Sequence, residues 1–330
     1  MFNGGRQFCS FQLLESREWY LAAYASDGVP NSDHLKLRNV KLSLAADSIP
    51  DRHVAVETLF LAVDPYLRSQ MNGRDDGLYL PQFQLNQVIK SFGIGRVILS
   101  KDDKYGEGDI VLGPIFPIAE YFVAPSEFFV RKIEQTNGIS LLDYLTPLGT
   151  PGFAAWVGIE LKGCRVIGST GSDEKVKLIK EEFGYDDGFN YNKETDFEAA
   201  LSKHFPNGID IYLDNVGGKM LEAVLNHVNK KATVSICGMM SEYNKVWTER
   251  EGIRNLLNVV GKEVRIEGFM IGSYLNRFGE FAKEMEEYMK EGKLKYKNKI
   301  NNGIESFLES LRSLFSSSNV GKVIIQVKAN

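Results

Sequence analysis

The spacing of hydrophobic and polar positions changes once along this chain. Between residue 16 and about residue 135, short apolar runs are separated by glycine, proline and Asp-Gly pairs. The runs are Val54–Val63, Phe92–Leu99, Ile110–Leu112 and Glu120–Val123. Short strands at this spacing are typical of a small barrel or sandwich. We therefore predict a β-rich amino-terminal region.

From Gly163 onward, short apolar runs alternate with segments of helical periodicity. Cys164–Gly168 is predicted to be a short buried strand, and Ser172 is predicted to cap a helix with Asp173 and Glu174 in its first turn. The later predicted strands are Ile209–Leu213, Ala232–Cys237, Arg265–Ile271 and Lys322–Val327. Three later helices are predicted. The first has Met220, Leu221, Val224, Leu225 and Val228 on its buried face, and the other two span 276–292 and 304–315. This alternation predicts an α/β fold with a parallel sheet covered by helices on both faces.

Composition narrows the class of protein. The 330 residues are 43% hydrophobic and 25% charged with a net charge of −4, which fits about two globular domains and gives no general attraction to nucleic acid or anionic membranes. No run of roughly 20 apolar residues predicts a membrane span, and the amino terminus does not resemble a secretory signal. Three distant cysteines, and four histidines without zinc-ligand spacing, favour a cytoplasmic protein without a metal.

Small and polar residues follow several predicted strands, where open parallel sheets bind ligands. Gly168–Lys175 (GSTGSDEK) could hold a phosphate on backbone N–H groups, although a plain turn also fits. Its small hydroxyls and Lys175 suit the 2′-phosphate of NADP, but Asp173 opposes this, and Lys175 could be a solvated helix residue. Both interpretations remain open on the residues alone.

Three side chains are candidates for chemistry. Tyr243 lies in a polar loop after a predicted strand, where a phenol can donate a proton or stabilise an enolate. By spacing alone, an exposed loop tyrosine without a catalytic role is the favoured interpretation. Tyr66 follows Asp64-Pro65 and could simply be packed, while Cys237 is more typical of a strand end than of a nucleophile because no histidine is near it in sequence.

Ten short strings together give the sequence a wider resemblance. They are EWYLA (18–22), VDPYLRSQM (63–71), FGIGRV (92–97), KYGEGDIV (104–111), LGTPGFAAWVGIE (148–160), GSTGSDEKVKLIKEEFGYDDGFNY (168–191), DNVGG (214–218), CGMMSEYN (237–244), IEGFMI (266–271) and NVGKV (319–323). With them the chain resembles the zinc-free branch of the medium-chain dehydrogenase/reductase family, in particular plant NADPH-dependent 2-alkenal (double-bond) reductases and the related prostaglandin reductases.

The resemblance implies two domains and a reaction. Residues 1–140 with 300–330 would form a GroES-like catalytic domain, and residues 141–299 a Rossmann domain that binds NADPH. The implied substrates are small α,β-unsaturated aldehydes and ketones, which receive hydride at the β-carbon and a proton at the α-carbon. The resemblance also implies a homodimer. An NADPH quinone reductase and a non-catalytic relative that no longer binds cofactor remain alternatives.

The resemblance assigns roles to particular residues. Tyr243 would be catalytic and would contact both substrate and cofactor. Tyr66 and Tyr79 would line the substrate pocket. The implied cofactor residues are Pro65, Tyr66, Lys175, Tyr191, Asn215, Cys237, Tyr243, Phe269 and Asn319, with Lys175 on the 2′-phosphate.

The sequence departs from the family after Leu161. In the family a strand, a glycine-rich phosphate loop and a helix follow at this point, whereas here Glu160-Leu161-Lys162 runs directly into Gly163-Cys164. We therefore expect the Rossmann domain to lack about one βα unit, including the central strand and the helix that holds the pyrophosphate. A splice product or gene-model error, an inactive relative, and a sheet rebuilt from another segment are the three explanations.

Overall fold

A computed structural model describes residues 13–45, 48–74, 80–134, 138–158 and 163–328. The strands are β1 (Leu13–Leu21), β2 (Leu35–Ser43), β3 (His53–Ala62), β4 (Lys90–Ser100), β5 (Ile110–Pro117), β6 (Tyr121–Pro125), β7 (Arg131–Ile133), β8 (Ile167–Thr170), β9 (Asp187–Asn190), β10 (Ile209–Asp214), β11 (Val228–Ile236), β12 (Arg265–Gly268), β13 (Asn298–Asn302) and β14 (Lys322–Gln326). The α-helices are α1 (Thr150–Gly158), α2 (Asp173–Glu181), α3 (Phe197–His204), α4 (Gly218–His227), α5 (Leu257–Gly261), α6 (Phe278–Lys290) and α7 (Phe307–Ser313).

The amino-terminal region is β-rich, as the apolar runs predict. Its largest sheet has the order β13-β14-β3-β4-β5-β7, with β6 also paired to β3, and β1 pairs with β2 in a separate hairpin. Strand β14 lies antiparallel to β3 with Ile324 opposite Ala62, so the end of the chain completes the sheet that the first part begins. Buried Phe116 and Val323 belong to the core between these elements.

The region from Gly163 onward contains parallel strands, but they do not form the single sheet that the alternation predicts. Strands β8 and β9 form one sheet, and β10, β11 and β12 form another. Within the described ranges, no strand pairing joins the sheet of β8 and β9 to the sheet of β10, β11 and β12. The residues at which the departure from the family is expected, 159–162, lie outside the described residues.

The prediction of a short buried strand at Cys164–Gly168 is wrong. The strand begins at Ile167, and Cys164 is exposed, as is Val166 at 41% of its surface. Among the described residues, β8 pairs with β9 alone, so its second edge has no strand partner of the kind that buries a central parallel strand. Helix α2 follows as predicted, because the Ser172 hydroxyl accepts a hydrogen bond from the Lys175 amide at 3.2 Å.

Other predicted boundaries need smaller corrections. Strand β12 ends at Gly268, not at Ile271, because Ile271–Arg277 forms a 3₁₀ helix. The segment 304–315 contains α7 preceded by a 3₁₀ turn, Ile304–Ser306. In the part of the chain that the structure describes, no helix is long and apolar enough to cross a membrane.

A buried ion pair joins the last strand to the turn after β3. The Lys322 ammonium contacts the Asp64 carboxylate, and their side chains are only 9% and 12% exposed. Removing one member of a buried pair leaves the other charge without compensation. Asp64 and Lys322 therefore depend on each other at the point where β14 returns to the amino-terminal sheet.

We predict that Lys322→Met lowers the free energy of unfolding by about 3 kcal/mol, because it strands the Asp64 charge. The double variant Asp64→Asn/Lys322→Met should recover most of this loss, since both charges are gone. Urea unfolding curves measure both effects. Lys328→Met is the control, because Lys328 is 45% exposed and its pairing with Glu57 should contribute under about 1 kcal/mol. Additive losses in the double variant would contradict the prediction.

Candidate functional site

Three of the predicted cofactor residues lie together at the carboxyl end of the three-stranded sheet. The parallel register aligns Asp214, Ile236 and Gly268, so the residues that follow them lie at one edge. These residues are Asn215, Cys237 and Phe269. The Cys237 amide donates to the Asp214 carbonyl at 2.8 Å, and the Phe269 amide donates to the Ile236 carbonyl at 3.1 Å. This is the edge at which parallel sheets bind ligands.

Burial determines the chemistry of Cys237. Removal from water raises the pKa of its thiol, because the charged thiolate is disfavoured there. A neutral thiol is a poor nucleophile. Cys237 therefore acts as a small residue at the strand end, in agreement with its sequence context.

The turn after β10 is fixed by a buried carboxylate that the sequence analysis did not single out. Asp214 is fully buried, and its Oδ1 accepts hydrogen bonds from the amides of Val216 at 2.8 Å and Gly217 at 2.9 Å. The Tyr212 hydroxyl also donates to this oxygen at 3.1 Å. These bonds hold Asn215 in position. An Asp followed by Asn-Val-Gly-Gly is a turn signal that could have identified it.

Tyr243 lies in the loop that follows β11. The Met239 amide donates to the Tyr243 hydroxyl oxygen at 3.3 Å, and a Cβ at Gly238 would lie 3.0 Å from that oxygen. The same loop is tied to the turn after β10, since the Met240 amide donates to the Asn215 carbonyl at 3.0 Å. Met240 and Tyr66 both pack against the apolar core that contains Phe116 and Val323. The loop therefore brings Tyr243 towards the core against which Tyr66 packs.

Pro65 and Tyr66 begin a 3₁₀ helix, Pro65–Met71, directly after β3. Pro65 is suited to the first helical position because it lacks an N–H and has a fixed φ. Burial and the nearby Asp64 carboxylate raise the pKa of Tyr66, so its phenol stays protonated. Tyr66 therefore offers a neutral hydroxyl and a ring face. Tyr79, the third predicted substrate residue, lies outside the described residues.

A second group of site residues forms a small polar cradle. The Lys175 ammonium donates to the Ser317 carbonyl at 2.9 Å, and the hydroxyls of Tyr191 and Ser317 are 3.2 Å apart. A Cβ at Gly171 would lie 2.8 Å from each of these two hydroxyl oxygens, so only glycine leaves the space open. We call Lys175, Tyr191, Ser317 and Gly171 the polar cradle. It contains a cation and two hydroxyls, which are typical phosphate ligands.

Asp173, which opposed a phosphate at this position, is neutralised by other residues. It accepts a hydrogen bond from the Asn190 amide nitrogen at 2.8 Å and forms an ion pair with Lys193. Both interactions hold the pKa of the Asp173 carboxyl below its usual range. The charge of Lys175 is therefore not cancelled by its neighbour in sequence.

The sequence analysis missed Ser317, which lies on the segment that leads into β14. Asn319, two residues later, donates from its side chain to the Gly321 carbonyl at 3.2 Å and belongs to the same turn. The run Ser316–Ser318 before NVGKV was the available signal, but a serine run alone does not specify a site. Within the described ranges, no three or more His, Cys, Asp or Glu side chains could together hold a metal.

Comparison with protein families matches both regions. Residues 17–131 match the N-terminal domain of oxidoreductase, and residues 152–290 match the zinc-binding dehydrogenase family. The chain is 34% identical to an NADP-dependent 2-alkenal reductase of Nicotiana tabacum, over 91% of this chain and 94% of that protein. It is 33% identical to (+)-pulegone reductase of Mentha piperita, over 96% of this chain and 99% of that protein.

A solved structure has a similar fold over almost the whole chain. CurA from Vibrio vulnificus superimposes with a TM-score of 0.85 at 26% identity, covering 95% of this chain and 99% of that one. CurA in complex with NADPH superimposes with a TM-score of 0.83.

The alignments also contain positions that this chain lacks. The tobacco alignment is 331 residues long, yet 91% of this 330-residue chain is about 300 residues, so about 30 aligned positions are gaps in this chain. The peppermint alignment is 347 residues long, and 96% of this chain is about 317 residues, which again leaves about 30. A gap of this total length is comparable to the ~30 residues of a βαβ unit.

We predict that Lys175→Ala weakens the binding of adenosine 2′,5′-bisphosphate about tenfold, because one charge-assisted hydrogen bond is worth about 1.5 kcal/mol. The affinity for adenosine 5′-monophosphate, which lacks the 2′-phosphate, should stay the same. Isothermal titration calorimetry measures both. Lys177→Ala is the control, since Lys177 is 71% exposed and pairs with Glu181. Equal losses for both ligands would remove the polar cradle from 2′-phosphate recognition.

Proposed function

The chain belongs to the medium-chain dehydrogenase/reductase family of NADP-dependent double-bond reductases, and we propose that it reduces the carbon–carbon double bond of α,β-unsaturated aldehydes and ketones with NADPH. The observation that carries this proposal is the position of Tyr243, held by the Met239 amide at the boundary between the domains. The loop of Tyr243 contacts the same apolar core as Tyr66. A small enal or enone between these two tyrosines would lie near the carboxyl ends of β10, β11 and β12.

The adenosine end of NADPH fits the described residues. The polar cradle would hold the 2′-phosphate through Lys175 and the hydroxyls of Tyr191 and Ser317. Asn215, Cys237, Phe269 and Asn319 would line the cofactor. Pro65 and Tyr66 would contact nicotinamide or substrate. The NADPH found with CurA, to which this chain is similar, supports this assignment.

The proposed chemistry needs a hydride, an oxyanion partner and a proton. NADPH supplies the hydride, which bonds to the β-carbon as the double-bond electron pair moves toward the carbonyl oxygen. The Tyr243 hydroxyl would hydrogen-bond this oxygen and support delivery of a proton to the α-carbon, which completes the saturated aldehyde or ketone. A phenol oxygen that accepts an amide hydrogen bond can donate its own proton onward, because hydroxyls do both.

The pyrophosphate has no comparable site among the described residues. Helix α2, which follows β8, is capped by Ser172, and the Ser172 hydroxyl already accepts a hydrogen bond from the Lys175 amide. We infer that this chain binds NADPH far more weakly than its relatives do. The separation of β8 from β10 and the gaps of about 30 positions support this inference. A relative that no longer binds cofactor is the alternative that the separated sheets favour. A quinone reductase remains the alternative within enzymes, separable by parallel turnover of an enal and a quinone.

We further propose that the protein forms a homodimer in the cytoplasm. Every residue of β12 is exposed along one edge of the three-stranded sheet, and in nearby α5 Leu257 and Val260 are 80% and 75% exposed. Apolar groups exposed beside an unpaired strand are typical of an interface. The mild net negative charge and the use of NADPH support a cytoplasmic location.

We predict that Tyr243→Phe, made in a chain that also carries the segment whose absence weakens NADPH binding, lowers kcat for a 2-alkenal at least about tenfold, because general acid catalysis contributes about 10²-fold or more. The dissociation constant for NADPH should change less than twofold, since the ring remains. Stopped-flow absorbance of NADPH and fluorescence titration measure the two quantities. Tyr288→Phe is the control, because Tyr288 bonds Glu284 on α6, away from Tyr243. An unchanged kcat would exclude Tyr243 from the mechanism.

We predict that fluorescence titration of the 330-residue chain gives no saturable NADPH binding at micromolar concentrations. A variant that carries the strand–loop–helix segment of the tobacco relative between Leu161 and Gly163 should bind in that range, because it restores backbone donors for the pyrophosphate. The unaltered chain is the matched control for this insertion. Micromolar binding and a cooperative thermal transition in the unaltered chain would contradict the prediction.

A further inference from the structure

Arg68 is a buried cation that the charge of the nearby Asp27 carboxylate helps to keep protonated. Its side chain lies on the 3₁₀ helix that begins with Pro65 and Tyr66, and it is only 1% exposed. Burial lowers the pKa of its guanidinium to about 10, so it remains charged at neutral pH. Among the described residues, no carboxylate lies within ion-pair distance of it, and its Nη1 has no hydrogen-bond partner. A buried charge is destabilising unless hydrogen bonds and neighbouring charges compensate for the hydration that it has lost.

The hydrogen bonds of Arg68 converge on two residues from distant parts of the chain. Its Nε donates to the Gly28 carbonyl at 3.0 Å and to Asn244 Oδ1 at 2.9 Å, and its Nη2 donates to the Gly28 carbonyl at 2.7 Å. The Gly28 amide in turn donates to the Asn244 carbonyl at 2.9 Å. Asn244 is thus held through its side chain and its backbone. We call Arg68, Gly28 and Asn244 the Arg68 clasp.

The clasp joins the two domains immediately beside the proposed catalytic tyrosine. Gly28 and Arg68 belong to the amino-terminal region, whereas Asn244 follows Tyr243 in the loop after β11. On its other side, Tyr243 is held by the Met239 amide. The phenol therefore lies between an anchor in the nucleotide domain and an anchor in the catalytic domain.

We propose that Arg68 is a positioning residue that holds the Tyr243 loop against the catalytic domain through Gly28 and Asn244. The catalytic consequence of this role rests on the proposed function, whereas the effect of Arg68 on the loop does not. Hydrogen bonds from a charged donor are stronger than neutral ones, and the fork of a guanidinium can reach two acceptors at once. These properties explain why an arginine occupies a buried position where a methionine would avoid the desolvation. A tyrosine displaced by about 1 Å could lose about 10²-fold in rate.

The experiment is hydrogen–deuterium exchange of the full chain, followed by mass spectrometry. In Arg68→Met and in Asn244→Ala, amides of residues 239–245 should exchange at least tenfold faster than in the unaltered chain. The double variant should be no faster than the faster single variant, since each change breaks the same contact. Arg68→Lys should give an intermediate rate, because an ammonium keeps the charge but lacks the fixed fork.

Two controls separate local loosening from general destabilisation. Peptides from residues 141–158, whose buried Leu145, Leu148 and Phe153 lie in other core clusters than the one against which Met240 packs, should exchange at unchanged rates in all variants. Asn258→Ala removes an asparagine whose side chain donates to Asn226 at 2.8 Å in the same domain, and it should leave residues 239–245 unaffected. Unchanged exchange of residues 239–245 in Arg68→Met would overturn the proposal. Equal acceleration of both segments, or multiplicative effects in the double variant, would also overturn it.

Turnover tests the catalytic consequence on the same variants. Arg68→Met and Asn244→Ala should lower kcat for a 2-alkenal about tenfold and change the KM for NADPH less than twofold. A loosened loop with unchanged kcat would show that the clasp does not position a catalytic group. If the unaltered chain reduces no enal or enone, the proposed function fails, while the exchange data still decide whether Arg68 holds the loop.

Discussion

The pairing of β14 with β3 is the constraint on which the arrangement of the candidate site depends. This antiparallel contact returns the end of the chain to the first sheet, and Lys322 secures it by its buried bond to Asp64. The segment just before β14 is therefore held near helix α2. It carries Ser317 to Lys175 and Tyr191. One strand pairing thus both completes the amino-terminal sheet and places Ser317 in the polar cradle.

Local signals predicted much of the fold. The Ser172 cap, the helix after it and the strands around Val54–Ala62 and Ile209–Leu213 follow from patterns that act within a few residues. The exposure of Cys164 and Val166 could not be predicted in this way, because it depends on which strand lies beside them. For the same reason the two separate sheets could not be derived from alternation alone, although the resemblance to a family indicated the gap.

The sequence predicted those site residues whose position follows from local structure. It did not predict those whose position depends on contacts between distant parts of the chain. Asn215, Cys237 and Phe269 follow strands, so the geometry of a parallel sheet brings them to one edge. Ser317 and Arg68 act through contacts with residues 142 and 176 positions away, respectively. No spacing in the sequence encodes such a contact. The effect of Asp173 on phosphate binding was ambiguous for the same reason. Its charge is neutralised by an ion pair with Lys193, which its neighbours in sequence do not reveal.

The open edges of β8 and β10 also bear on how much of this protein a cell can maintain. Among the described residues, β8 and β10 each pair with one strand only, and an unpaired strand edge is a template for pairing with other chains. Association through these edges would therefore start from the folded molecule. Chaperones and proteases act continuously on such surfaces. The abundance of the chain, more than its rate per molecule, would then limit the flux it supports.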